Sequence, residues 1–260
     1  MVDVVLVETR DRVRTITLHR PEVRNALDRA LQHASADAFA AADSDPAVDV
    51  VVLTGSDPAF CAGLDLRELG STGDNLNIRS DETGRPSNPF TALWSMRKPV
   101  IGAINGPAVT GGFELALACD FLVASERATF GDTHARVGVT PGGGMSVFLP
   151  MAVGLRRAKQ ISFTGNFVGA AEAERIGLVN LVVEHADLLP TARRLAADIV
   201  SNDQRAVLNL KALYDRATAV APADGLVIEH AVFRAWRVER AEVASRRESV
   251  LRRGREQQES

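Results

Sequence analysis

Two glycine-containing segments combine backbone amides with side chains that can do chemistry. They are residues 59–66, which read Ala-Phe-Cys-Ala-Gly-Leu-Asp-Leu, and residues 104–116, which read Ile-Asn-Gly-Pro-Ala-Val-Thr-Gly-Gly-Phe-Glu-Leu-Ala. Each follows an apolar run typical of a buried strand and leads toward a predicted helix. Glycine lets the backbone turn tightly, and a helix N-terminus presents unpaired N–H donors. Two such donors aimed at one point would form an oxyanion hole, although a single glycine pair more often just ends a strand.

Glu114 and His134 are the side chains that could transfer protons near these segments. Glu114 lies inside the second segment, at the start of the predicted helix, where the helix dipole also stabilises a carboxylate. His134 lies in the later stretch Phe130-Gly131-Asp132-Thr133-His134. Imidazole, with an unperturbed pKa of about 6.5, can donate or accept a proton near neutral pH. From the residues alone, a purely structural role stays open for both side chains.

The two segments resemble the hallmark phrases of the crotonase (enoyl-CoA hydratase/isomerase) superfamily, and the second continues through Cys119-Asp120. The resemblance covers essentially the whole chain. Further matching positions are Arg20-Pro21, Asn25-Ala26-Leu27, Phe130-Gly131, Gly138, Pro141-Gly142-Gly143-Gly144, Thr164-Gly165, Ala170, Ala173 and Ile176-Gly177-Leu178-Val179. The resemblance implies an enzyme that acts on acyl-CoA thioesters.

The resemblance also assigns roles to single positions of this chain. The N–H groups of Leu64 and Gly111 take the place of the two oxyanion-hole donors, and Glu114 takes the place of the first catalytic glutamate. The implied contacts to substrate or coenzyme A are Arg24, Ala26, Ala62, Leu64, Asp65, Leu66 and Gly111. No metal and no bound cofactor are expected, because coenzyme A arrives as part of the substrate.

His134 departs from the hydratase pattern, since it stands where hydratases carry a second glutamate. Hydration needs water activated at the β-carbon and a proton delivered to the α-carbon. We predict an enoyl-CoA hydratase in which Glu114 acts on the water and His134 donates the proton. The alternatives are an enoyl-CoA isomerase or acyl-CoA thioester hydrolase on the same site, or an acyl-CoA-binding protein with little turnover. A dehalogenase is disfavoured, since its aspartate nucleophile would stand at Gly142.

Strands and helices alternate along the first part of the chain, which indicates an α/β fold. The patterns predict two strands within Val2–Leu18, a helix from Leu27, strands at Val48–Leu53 and Pro99–Asn105, a helix at Phe113–Ala118 and a strand at Phe121–Ala124. The resemblance implies the crotonase (ClpP-like) spiral of ββα repeats with a C-terminal helical region. The polar loop 71–89 is expected to shape the acyl pocket.

A soft boundary near residue 195 separates a predicted acyl-CoA-binding core, residues 1–195, from a helical oligomerisation region, residues 196–260. Ile228, Val232 and Trp236 fall four residues apart, as on one face of a helix. A helical tail that cannot bury such a face alone needs the main body or another subunit. Together with the resemblance, this predicts a homotrimer or hexamer.

Composition excludes several other classes of protein. The 260 residues carry 30 basic and 33 acidic side chains, so no basic field indicates a nucleic-acid partner. No apolar run is long enough for a membrane span or a signal peptide, so we expect a cytoplasmic protein. Cys61 and Cys119 form neither a disulfide framework nor a metal-binding spacing.

Overall fold

The chain is described from a computed structural model, which covers residues 3–73, 75, 88–220, 224, 227–228 and 231–232. The chain divides into two compact units, Met1–Leu208 and Asn209–Ser260. The first unit therefore continues past the predicted boundary near residue 195. No helix among the described residues is long and apolar enough to cross a membrane.

The strands of the described residues belong to two sheets. They are β1 (Val5–Arg10), β2 (Val13–Leu18), β3 (Val50–Gly55), β4 (Val100–Ile104), β5 (Ala108–Val109), β6 (Phe121–Ser125), β7 (Thr129–Gly131), β8 (Val168–Gly169) and β9 (Leu181–Val183). The larger sheet has the order β1-β2-β3-β4-β6-β9, in which only β1 and β2 pair antiparallel. The smaller sheet has the order β5-β7-β8, with β5 parallel to β7.

Helices connect these strands. They are α1 (Arg29–Ser44), α2 (Leu66–Ser71), α3 (Pro89–Trp94), α4 (Gly111–Leu117), α5 (His134–Val137), α6 (Met145–Val153), α7 (Leu155–Thr164), α8 (Ala170–Arg175), α9 (Leu188–Val200) and α10 (Gln204–Ala217). Short 3-10 turns lie at Pro21–Val23 and His185–Asp187. The predicted strands and the helices predicted from Leu27 and near Phe113 are therefore present, with shifted ends.

The central strands are buried on both faces because helices cover both sides of the larger sheet. Every residue of β3 and β4 is buried, which explains their nearly unbroken apolar sequence. Phe39 of α1 and Phe113 of α4 belong to the main core cluster. On the opposite face, Leu188, Ala192 and Ala196 of α9 pack against strand residues such as Val52 and Ile101. Helix α9, which contains residue 195, is thus part of the first unit.

The second unit begins within α10, where Lys211 lies 3.6 Å from Asp215. Of the three residues predicted to share an apolar helix face, Ile228 and Val232 are helical and partly buried, whereas Trp236 lies outside the described residues. Its proposed role in self-association stays a prediction.

Candidate active site

A cavity of about 300 Å³ lies between the two glycine-containing segments and the residues that follow β7. Six of the predicted site residues line it: Ala62, Leu64, Leu66, Gly111, Glu114 and His134. Gln32, Asn75, Asn88, Phe90 and Thr110 also line it, together with Val137 and the stretch 139–143. Thr110, the stretch 141–143 and the loop that holds Asn75 and Asn88 were noted from the sequence, whereas Gln32, Phe90 and Val137 were not.

The two segments meet because each leaves a neighbouring strand of the larger sheet. Beyond β3, Cys61 forms a parallel bridge with Ala108, and the N–H of Val109 donates to the Cys61 carbonyl over 3.0 Å. Gly112 is needed at this contact, since a Cβ there would lie 2.1 Å from the Cys61 carbonyl oxygen. Gly63 has φ +89°, a conformation that favours glycine. The glycines therefore permit close approach of two main chains.

The N–H groups of Leu64 and Gly111 are free to bind a ligand. Among the described residues neither donates a hydrogen bond, and both residues line the cavity. Leu64 is fixed by its neighbours, since Leu27 N–H donates to the Gly63 carbonyl over 2.7 Å and the Asp65 N–H donates to the Leu27 carbonyl over 3.0 Å. Gly111 is the first residue of α4, where an N–H has no partner within the helix. Both residues therefore offer an unpaired main-chain donor at the wall of one cavity, and their role as an oxyanion hole stays a prediction.

Glu114 projects from the first turn of α4 into the same cavity and is only 3% exposed. Its Oε1 accepts hydrogen bonds from the N–H groups of Gly143, over 2.7 Å, and Met145, over 3.2 Å. Burial raises the pKa of Glu114, and these hydrogen bonds and the nearby His134 oppose that rise only in part. Such a carboxyl group gains a proton more readily than an exposed one.

His134 begins α5 and reaches both Glu114 and a second acid. Its Nδ1 lies 2.6 Å from Oδ1 of Asp132, and its Nε2 lies 3.7 Å from Oε2 of Glu114. Although burial favours a protonated Asp132, its interactions with His134 and Ser162 outweigh that effect and lower the pKa of Asp132. An ionised carboxylate can only accept a hydrogen bond, so beside an ionised Asp132 the shared proton belongs to Nδ1 of His134. The nitrogen that faces the cavity and Glu114 is Nε2.

Asp132 is the member of this cluster that sequence reasoning missed as a partner of His134. It is 2% exposed and does not line the cavity. The sequence feature that could have indicated the contact is the position of Asp132, two residues before His134 and directly after β7. That spacing alone does not predict the contact, because the backbone turn at Thr133 brings the two side chains together.

Three predicted coenzyme A contacts lie outside the cavity. Asp65 caps α2 by accepting from the Arg67 N–H, and it lies 3.2 Å from Arg20. The Arg24 carbonyl accepts a hydrogen bond from the Ala62 N–H over 3.0 Å, and the Arg24 side chain is exposed. The Ala26 carbonyl accepts from Arg20 over 2.6 Å. These contacts hold the stretch 20–28 against the first segment.

Asn75 and Asn88 line the cavity, but most of the loop predicted at 71–89 lies outside the described residues. The described residues contain no group of three or more metal-binding side chains. Burial raises the pKa of the Cys61 thiol to about 12, so this cysteine stays protonated at neutral pH.

A family profile and several known sequences are similar to this chain. The sequence profile described as "Enoyl-CoA hydratase/isomerase" matches residues 8–252. A protein of Arabidopsis thaliana named "Probable enoyl-CoA hydratase 1, peroxisomal" is 41% identical over 84% of this chain and 80% of its own length. A "Crotonyl-CoA hydratase" of Syntrophomonas wolfei is 37% identical over 80% of each chain.

A solved structure shows the same likeness in three dimensions. The crystal structure of an enoyl-CoA hydratase from Mycobacterium tuberculosis H37Rv is 49% identical and has a TM-score of 0.75. The match covers 89% of this chain and 98% of that one.

Proposed function

Because the chain belongs to the enoyl-CoA hydratase/isomerase family, we propose that it is an enoyl-CoA hydratase, a carbon–oxygen lyase that acts on α,β-unsaturated acyl-CoA thioesters. The observation that carries the proposal is a single cavity in which two free N–H groups face a buried carboxylate and an imidazole. The relatives named as hydratases support the same reaction.

The N–H groups of Leu64 and Gly111 bind the thioester oxygen. As water attacks the β-carbon, the electron pair of the double bond moves toward this oxygen, which gains the charge of an enolate. Main-chain donors that are already fixed stabilise that charge without reorganisation. The rate gain comes from tighter binding of the enolate than of the ground-state carbonyl.

Glu114 and His134 divide the two proton transfers. The carboxylate of Glu114 takes a proton from water while the water oxygen forms its bond to the β-carbon. The imidazolium of His134 then gives the proton on Nε2 to the α-carbon, and the enolate collapses back to the thioester. One oxygen and two hydrogens are added to the substrate, as hydration requires.

The site then returns to its starting state by one internal transfer. After addition, Glu114 holds the proton that water supplied and His134 lacks the one that it gave. The two atoms concerned, Oε2 and Nε2, are 3.7 Å apart. A small movement or one bridging water is enough to pass the proton back.

The test is incubation of the purified protein with crotonyl-CoA, followed by loss of the conjugated absorbance and identification of 3-hydroxybutyryl-CoA. Release of free coenzyme A without the hydroxy product would instead indicate a thioester hydrolase. Migration of the double bond in a longer enoyl-CoA would indicate an isomerase. Tight acyl-CoA binding with no turnover of any enoyl-CoA would favour the binding protein.

The homotrimer or hexamer, the contacts of Arg24, Ala26 and Asp65 with coenzyme A, and the cytoplasmic location stay proposals. Exposed apolar side chains on α6 and α7, including Met151 and Phe163, support self-association of the first unit. Light scattering that gives a stable monomer at micromolar concentration would contradict an obligate assembly.

A further inference from the structure

Asp132 and His134 form a buried carboxylate–imidazole pair at the edge of the cavity. One oxygen, Oδ1 of Asp132, lies 2.6 Å from Nδ1 of His134 and accepts the backbone N–H of the same residue over 3.2 Å. Ser162 also helps to keep the pKa of the Asp132 carboxyl low. A single buried carboxylate therefore contacts both the ring and the backbone of His134.

The backbone ties this pair to the oxyanion-hole side of the cavity. Strand β7 ends immediately before Asp132, and β7 pairs in parallel with β5, which ends just before Thr110. The N–H of Thr110 donates to the Gly131 carbonyl over 2.8 Å, one residue before each functional group. A shift of Asp132 relative to Gly111 would break this ladder.

We propose that Asp132 is a positioning residue of the reaction, which holds the ring of His134 so that Nε2 carries the transferable proton. An ionised carboxylate only accepts hydrogen bonds, so Nδ1 must keep its proton in both charge states of the ring. The proton that comes and goes is then always on Nε2. This inference rests on the proposed function, because it assumes that His134 takes part in proton transfer.

The pair also preserves the charge balance of the site. A protonated carboxyl group as second acid would be neutral, and an imidazolium alone would add a positive charge beside Glu114. Asp132 and a protonated His134 together carry no net charge, so the pair replaces a neutral acid by a neutral ion pair.

In the described residues, the charged groups near the ring are Asp132 and Glu114. Arg136, on the same helix, instead hydrogen-bonds to Thr164 and Asn166.

The chain offers a matched control, because a second aspartate–histidine pair lies away from the cavity. Oδ2 of Asp57 is 3.1 Å from Nε2 of His185, and neither residue lines the cavity. The Asp57 side chain is 63% exposed. Replacing each aspartate by asparagine therefore compares the same chemical change at two places in one fold.

The experiment compares Asp132→Asn and Asp57→Asn with the unchanged protein in crotonyl-CoA hydration. For Asp132→Asn we expect kcat to fall by about 10²-fold, the size of a general acid–base contribution, with KM within about threefold because the cavity lining is intact. The pH–rate profile should also change, because the ring of His134 loses the carboxylate that orients it. Asp57→Asn should leave kcat and the profile unchanged.

Nitrogen NMR of labelled histidine gives a readout that does not depend on turnover. The unchanged protein should show His134 with a proton on Nδ1 at high pH, and Asp132→Asn should lose that preference. The measurement on the unchanged protein also tests the proposal if Asp132→Asn does not fold.

Different outcomes separate this inference from the proposed function. If His134→Ala loses turnover while Asp132→Asn keeps kcat within about threefold and keeps the pH profile, the positioning role is wrong and the hydratase stands. If His134 carries its neutral proton on Nε2 in the unchanged protein, the positioning role is also wrong. A protein that hydrates no enoyl-CoA, yet shows the expected Nδ1 proton and loses it in Asp132→Asn, contradicts the hydratase and supports the positioning.

Discussion

The cavity has two sides that are built in different ways. The amide side consists of the N–H groups of Leu64 and Gly111, which belong to the main chain. The acid–base side consists of the side chains of Glu114, His134 and Asp132. The amide side depends on how closely two segments approach, which the glycines permit. The acid–base side depends on which atoms lie within hydrogen-bond reach of one another.

Substitutions on the amide side and on the acid–base side should therefore have different effects. On the amide side, the identity of a side chain matters little unless it changes the path of the backbone. On the acid–base side, replacement of a single atom can remove a step of the reaction.

Glu114→Gln should lower kcat by about 10²–10⁴-fold, the range typical of a general acid–base group. The amide oxygen can still accept from the N–H groups of Gly143 and Met145, so the backbone donors stay in place. Affinity for a saturated acyl-CoA, measured by calorimetry, should change by less than about threefold. An activity close to that of the unchanged protein would remove Glu114 from the mechanism.

A thermal melt is the folding control for Glu114→Gln. The direction of the expected change in melting temperature follows from the raised pKa of Glu114. A proton binds this carboxyl group more tightly in the folded state than in the unfolded state, so its contribution to stability is lost as pH rises through the folded-state pKa. Glutamine has no charge to desolvate. The variant should melt no lower than the unchanged protein at neutral pH, and any gain should vanish near pH 4.

Gly112→Ala should damage the amide side through the backbone. The added Cβ would lie 2.1 Å from the Cys61 carbonyl oxygen, and main-chain atoms cannot move aside as a flexible side chain can. We expect kcat/KM to fall by about 10²-fold, comparable to loss of one oxyanion-hole donor, with destabilisation of about 1–3 kcal/mol. Gly70→Ala in α2 is the control, because a Cβ there meets nothing within 4 Å.

The acid limb of the pH–rate profile should lie above the range of an ordinary carboxyl group. Glu114 must be ionised to take a proton from water, and burial raises its pKa. As pH falls, this group therefore gains a proton, and the rate is lost, earlier than for an exposed glutamate. Initial rates of crotonyl-CoA hydration in a buffer series measure the limb. A limb at or below pH 4 would mean that Glu114 is not the base.

Leu64→Ala should have the smallest effect. The residue contributes its N–H to the amide side, and alanine keeps that donor in place. We expect kcat within about threefold of the unchanged protein, whereas KM can change because the side chain lines the cavity. A hundredfold loss of kcat in a variant that melts normally would show that the side chain itself takes part.

Sequence reasoning was most successful where one position determines one role. The α/β class was correct, and the chain resembles solved hydratase structures over most of its length. Leu64, Gly111, Glu114 and His134 were selected from the sequence, and the structure brings all four to one cavity. Their catalytic roles stay predictions.

The contacts between residues that are apart in the sequence or joined by a turn could not be predicted in this way. The contact between Asp132 and His134 depends on the backbone turn after β7. The end of the first unit depends on how α9 packs against the sheet, which its own periodicity does not specify. The side chain of Asp65 accepts hydrogen bonds from Arg67 and Arg20, and its contact with coenzyme A stays a prediction.

The most direct test of the central claim is the pH dependence of crotonyl-CoA hydration by the unchanged protein and by His134→Ala. We predict a bell-shaped profile for the unchanged protein, with an acid limb from Glu114 and an alkaline limb that depends on His134. His134→Ala should lose about 10²-fold in kcat and also lose the alkaline limb. If the variant keeps both the rate and the complete profile, Glu114 works without His134, and the division of the two proton transfers is wrong.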